Sequence, residues 1–194
     1  MKNEIIGVAQ YFYHCNGEYL PIRDIPNRSG NGFKTEPHYE NLTENWCSEC
    51  MNSRIKSANK NFLEYLFLIT KYRNSDFKMD GKLIVVGYLK RAEKKRWIEL
   101  SKDIPSGVQG FLPDPSDCGF FAGDPKSSKF VSVEDGFELK NVKNGRYIWY
   151  INENLGRNII KKLNSSENIY YKLIRRVKEL EKEKNKNPLK KRGC

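Results

Sequence analysis

The chain has 194 residues, with 35 Lys and Arg against 24 Asp and Glu for a formal charge of +11, and it is 38% hydrophobic and 12% aromatic. That length buries one ordinary core without disulfide or metal staples, and a mean hydropathy of -0.74 describes a wet, soluble globular surface. No stretch reaches the ~18–20 apolar residues of a membrane span and Glu4 breaks any leader-like opening, so the sequence predicts no membrane partner and a cytoplasmic location.

The first element is the run EIIGVAQYFY, residues 4–13, β-branched and aromatic, which predicts a strand with Gly7 as a bulge or a point of close backbone approach. Side chains alternate across a strand, so Phe12 and the Tyr11/Tyr13 pair must face opposite ways. The outward ring is either ordinary packing or a platform on which a base can stack. From Asn16 to Pro37, Gly17, Pro21, Pro26, Gly30 and Gly32 predict a long irregular connection with a short strand at residues 19–23. Arg23, Arg28 and Lys34 make that connection a basic flap.

Residues 41–58 follow helical spacing, with Leu42, Trp46 and Cys50 on one line and Cys47, Met51 and Ile55 beside it. Thr43 or Asn41 would cap this helix. The centre of the chain is an apolar run at residues 62–69, a turn at Asp80-Gly81, and a second run at residues 83–89 that reads as a buried strand. A basic string follows at once: Lys90, Arg91, Lys94, Lys95, Arg96, closed by Trp97. Residues 98–100 extend pairing, and after a loop-rich zone from Pro105 to Gly123 short strands are expected at Phe120-Phe121, 129–133, 137–142 and 146–151. Asn164-Ser165-Ser166-Glu167 reads as a helix start with Asn164 as the cap. Ile169, Leu173, Val177 and Leu180 then form its buried face, and a solvated basic tail runs past Pro188. The organisation predicted is a single α+β domain over residues 1–163, then a C-terminal helix and basic tail over 164–194.

Three chemistries compete for the functional residues. Cys47-x-x-Cys50, joined by Cys15 and His14, or by His38 or Cys118, could hold a structural zinc; the alternative is small apolar cysteines facing a core. An odd count of five cysteines, with Cys194 the last, fits a reducing compartment. Pro113-Asp114 with Glu138-Leu139-Lys140 matches the PD…ExK pattern of magnesium-dependent nucleases, in which two carboxylates hold the metal and the Lys orients water. The third chemistry interleaves cations with rings. Arg91, Lys94, Lys95, Arg96 and Trp97, with Arg146, Tyr147, Trp149 and Tyr150 later, pair phosphate-holding groups with stacking surfaces, against the plain alternative of a charged turn beside strand aromatics.

The segments YLFLITKY and GKLIVVGYLKRAE resemble the aromatic strand, turn and VGY-ending strand of the PUA-like superfamily, which includes the ASCH, EVE and YTH domains and the nucleotide-modification-associated domains. The resemblance spans residues 62–142. It implies a small, partly open β-barrel with flanking helices that binds RNA or holds a modified base in an aromatic-walled pocket. Tyr11, Tyr13, Trp46, Trp97 and Phe121 then become candidate pocket walls.

The reading that joins these strands of evidence is an α+β chain with a curved, mostly antiparallel sheet or partly open β-barrel and flanking helices. Its expected task is to bind nucleic acid, DNA or RNA, extending to a modified or flipped base. The alternatives are an enzyme acting on nucleic acid, by magnesium-dependent cleavage or base modification, and a zinc-stabilised interaction module.

Overall fold

Strands that are apolar at every position form only where both faces of their sheet are covered, and the two central runs of this chain meet that condition. The computed structural model describes residues 4–11, 23–26, 33–36, 39, 43–45, 58, 60–71, 82–101, 120–140 and 149–186. Among the described residues ten strands are formed by β1 (Ile5–Tyr11), β2 (Arg23–Pro26), β3 (Phe33–Glu36), β4 (Thr43–Asn45), β5 (Tyr65–Lys71), β6 (Leu83–Lys90), β7 (Phe120–Ala122), β8 (Lys129–Phe130), β9 (Phe137–Glu138) and β10 (Trp149–Asn152). Helices whose bounds are described are α1 (Lys94–Ser101), α2 (Glu153–Asn164) and α3 (Tyr170–Lys186).

The main sheet has six strands in the order β10-β1-β5-β6-β8, with β9 also paired to β6. Its pairings are antiparallel except β1 with β5, which is parallel. The architecture is therefore α+β and the sheet mostly antiparallel, as the sequence predicts. Closure into a barrel is not seen: among the described residues β10 and β8 lie at opposite ends of the sheet. Helices cover the two faces instead, and that coverage removes the need for the sheet to close on itself.

Between β5 and β6 the register steps from Leu68 opposite Gly87 to Ile69 opposite Val85, leaving Val86 as an extra residue. The bulge resets which side chains share a face. Ile84, Val86 and Leu89 join Val8, Leu66, Leu68 and Phe130 in one core, closed by Ile169 just before α3 and Leu173 and Val177 on it. Val85 and Tyr88 join Ala9, Phe67, Ile69 and Ile151 in the other, closed by Ile159 and Leu163 of α2. Burying each such side chain contributes about 1.5–3 kcal/mol before conformational entropy is charged against it. Gly87 is required where it sits: a Cβ there would stand 2.6 Å from the Lys129 carbonyl oxygen. Gly7 is the close approach expected from the sequence, its would-be Cβ 2.6 Å from the Tyr65 carbonyl, and the β1–β10 register shifts between Ile5 and Gly7.

Locally the structure departs from the sequence pattern at several places. Residues 43–45 do not begin a helix; Thr43–Asn45 pairs antiparallel with β7, Thr43 opposite Ala122, a long-range partner that helical spacing cannot reveal. Helical backbone is found at Ala58 and Lys60. Of the strand expected at residues 19–23, residues 19–22 lie outside the described residues; Arg23 begins β2, which pairs with β3 as a hairpin from Arg23 opposite Glu36 to Pro26 opposite Phe33. Residues 98–100 extend no strand. They lie in α1, where the straight side chains of Lys94, Lys95, Arg96 and Glu99 favour helix once Ala92 N–H has donated to the Ala122 carbonyl at 2.9 Å.

Asn164 does not cap a helix start as its sequence context predicts; it ends α2, which Asn152 starts, its Oδ1 accepting the Leu155 N–H at 2.9 Å. The next helix is introduced by Asn168, whose Oδ1 accepts the Tyr170 N–H at 3.2 Å. The inward face predicted for α3 is observed, with Ile169, Leu173 and Val177 buried and Leu180 packed against the same cluster, and the helix itself runs on to Lys186.

Candidate nucleic-acid interface

The basic string after β6 divides by residue type. Both arginines turn inward to backbone carbonyls. Arg91 donates from Nε to the Leu63 carbonyl at 2.8 Å and from Nη2 to the Ala58 carbonyl at 2.7 Å, and its guanidinium lies 4.8 Å from the Phe121 ring centroid. A helix end leaves carbonyls without partners, and this one closes with Phe62 in the left-handed region (φ 50°) and Leu63 N–H donating to Ala58 O at 2.9 Å. Arg91 therefore ties the strand end to the helix end before it. Arg96 donates from Nε to the Gly123 carbonyl at 3.0 Å, which fixes α1 against the turn after β7.

The lysines point the other way. Lys94 and Lys95 are exposed on the first turn of α1, a turn that holds no acidic residue. Lys90 is half-buried and pairs with Glu64 at 3.3 Å. Nearby, Asp124 is held below the usual carboxylate range, chiefly by the Ser127 hydroxyl donating to it, with the Lys126 N–H and the charges of Lys126 and Arg96 adding.

The expected rings and ligands fare differently. Phe121 is fully buried under Arg91. Trp97 lies in α1 and Tyr11, in β1, pairs with Ile69 of β5, while the side chains of Trp97 and Tyr11 fall outside the described residues. Tyr13, Trp46, His14, Cys15, Cys47, Cys50, His38, Cys118, Cys194 and Asp114 also lie outside them. Among the described residues no group of three or more His, Cys, Asp and Glu side chains is arranged to hold a metal ion.

A cleft of about 590 Å³ opens between the β9 segment and α2, lined by Gly136, Phe137, Glu138, Leu139, Lys140, Leu155 and Lys162. Its volume lies within the range that accommodates small ligands. Glu138 is ion-paired with Lys82 at 3.0 Å, so its carboxylate is already partnered. The spacing from Glu138 points to Lys140, whereas Lys162 sits on α2, which the sequence pattern does not mark.

No family model, curated protein or solved structure matches this chain. Among the described residues no helix is long and apolar enough to cross a membrane.

Proposed function

We propose that this chain binds nucleic acid, DNA or RNA, as a reader without chemistry, on a framework like that of the PUA-like superfamily and in a cytoplasmic setting. The observation that carries the reading is the first turn of α1, where Lys94 and Lys95 stand exposed and Arg91 and Arg96 anchor the backbone that presents them. Cations at a helix N-terminus oppose the helix dipole, and a bound phosphate relieves that conflict. The chain's +11 charge steers a polyanion towards such a surface. Recognition of a modified or extruded base is the finer form of the reading.

The test is fluorescence anisotropy with labelled oligonucleotides, comparing modified with unmodified and single with double strands at fixed salt. The double variant Lys94→Glu/Lys95→Glu should weaken binding at least about tenfold and lower the duplex salt slope by about 1.8, two phosphate contacts at ~0.9 each. Unchanged affinity in that variant would refute the assignment.

A second reading, metal-dependent phosphodiester cleavage, draws on one observation: Glu138 and Lys140, two members of the PD…ExK pattern, both line the cleft. Product formed only with magnesium, and lost in Glu138→Ala, would favour it over the reader.

A further inference from the structure

We infer that the outward face of α3 is a second contact surface, specific for single-stranded nucleic acid, in which Tyr171 stacks on a base while Arg175, Lys178 and Lys182 meet the phosphates. It rests on the nucleic-acid reading above and deepens it by naming the form of strand.

Helical geometry brings these four residues into one row. They are spaced i, i+4, i+7 and i+11, so they share one narrow face, about 16 Å long at 1.5 Å per residue. That face lies opposite the buried row of Ile169, Leu173 and Val177, so the packing that seats the helix also aims the row at solvent. All four are exposed. Among the described side chains the acidic neighbours are occupied elsewhere, Glu167 by Lys172 at 2.8 Å and both Glu179 and Glu183 by Arg176 at 3.6 and 3.2 Å. Among the described residues no ion pair is made by Arg175, Lys178 or Lys182.

Tyr171 is an unusual surface residue, 78% exposed and yet the outer end of a rigid series of rings. Tyr39, fully buried, meets Phe130 edge-on at 5.2 Å between centroids; Phe130 stacks on Tyr170 at 5.7 Å; Tyr170 leans on Tyr171 at 5.3 Å. The Tyr170 hydroxyl donates to the Tyr39 carbonyl at 2.9 Å and fixes the third ring in place. A ring seated in this way loses little freedom on stacking, and a strand with unpaired bases offers it an accessible π-face where a duplex does not. A lipid surface fits less well, because the apolar face of α3 is spent on the sheet. An acidic peptide would satisfy the cations and leave the ring idle.

Anisotropy on the full chain tests this, with labelled oligothymidylate, oligouridylate and a duplex of equal length as probes and unlabelled polyglutamate as competitor. Tyr171→Ala should weaken binding to single strands about 5- to 100-fold and barely change duplex binding, with Tyr171→Phe restoring it. Arg175→Ala/Lys178→Ala should lower the single-strand salt slope by about 1.4. Thermal melting of each variant shows that the fold is kept. Unchanged single-strand affinity in Tyr171→Ala overturns the inference, as does displacement by polyglutamate as effective as by the unlabelled strand at equal charge. If α3 variants bind normally while Lys94→Glu/Lys95→Glu does not, this surface falls and the nucleic-acid reading stands; if the unaltered chain binds no strand at low salt, both fall.

Discussion

Asn168 completes the sheet edge for Phe130. Its Oδ1 accepts the Phe130 N–H at 3.2 Å, its Nδ2 donates to the Ser128 carbonyl at 3.3 Å, and the next residue, Ile169, donates its N–H to the Phe130 carbonyl at 3.0 Å. One side chain thus does the work of a neighbouring strand residue along β8, and covers an edge that would otherwise invite pairing with another chain.

Asn168→Ala should therefore cost about 1–3 kcal/mol, because it leaves the Phe130 N–H and the Ser128 carbonyl without their partner. In a chain of this size each kcal/mol lowers the melting temperature by about 2–4 °C, so calorimetry reads the effect directly. Asn168→Asp keeps the acceptor and loses the donor, and should fall between the two.

Arg91→Lys should destabilise the fold by about 1–3 kcal/mol even though charge is retained. An ammonium cannot reach two carbonyls as a planar fork, nor lie flat over Phe121. Urea denaturation measures this. A variant as stable as the parent, but weaker in binding oligonucleotide, would move Arg91 from the scaffold to the interface.

Phe62→Gly should stabilise the chain by up to about 1 kcal/mol. Phe62 is 62% exposed and holds a positive φ that costs a side-chain-bearing residue about 1–2 kcal/mol, from which the greater unfolded-state freedom of Gly must be subtracted. Phe62→Ala keeps the backbone strain and should show no such gain in the same thermal melt.

Stability should decline as the solution is made alkaline. Burial, with the Glu64 charge adding, pushes the Tyr65 phenol up to about 12, and burial also raises Tyr88. A raised phenol keeps its proton in the folded state while the unfolded chain, ionising near pH 10, gives it up; the contribution is complete below about pH 10 and lost as pH climbs towards about 12. Tyr65→Phe should make that decline shallower in denaturant midpoints taken between pH 8 and 12.

What the sequence disclosed depended on whether an element's partners were local. Residues 83–89 read as a buried strand because coverage on both faces leaves an unbroken apolar run, and the inward row of α3 was visible from its spacing alone. Thr43–Asn45 was hidden because its partner is β7, and α2 was hidden because Asn154, Gly156 and Asn158 dilute its helical signal; Gly156 is there to let Ile6 approach. The basic string was legible as charge but not as direction. Whether a cation serves solvent or scaffold depends on carbonyls that only the fold brings near, those of Ala58, Leu63 and Gly123.

The arrangement of α2 and α3 on opposite faces bears on how the chain comes to be folded. A chain emerging from its amino end would hold β5 and β6 with both oily sides only partly covered until Ile159, Leu163, Leu173 and Val177 arrive, and β1 would wait for β10. Synthesis would thus pass through a prolonged adhesive stage, and a ribosome stalled before residue 153 would release a product destined for chaperones or clumping.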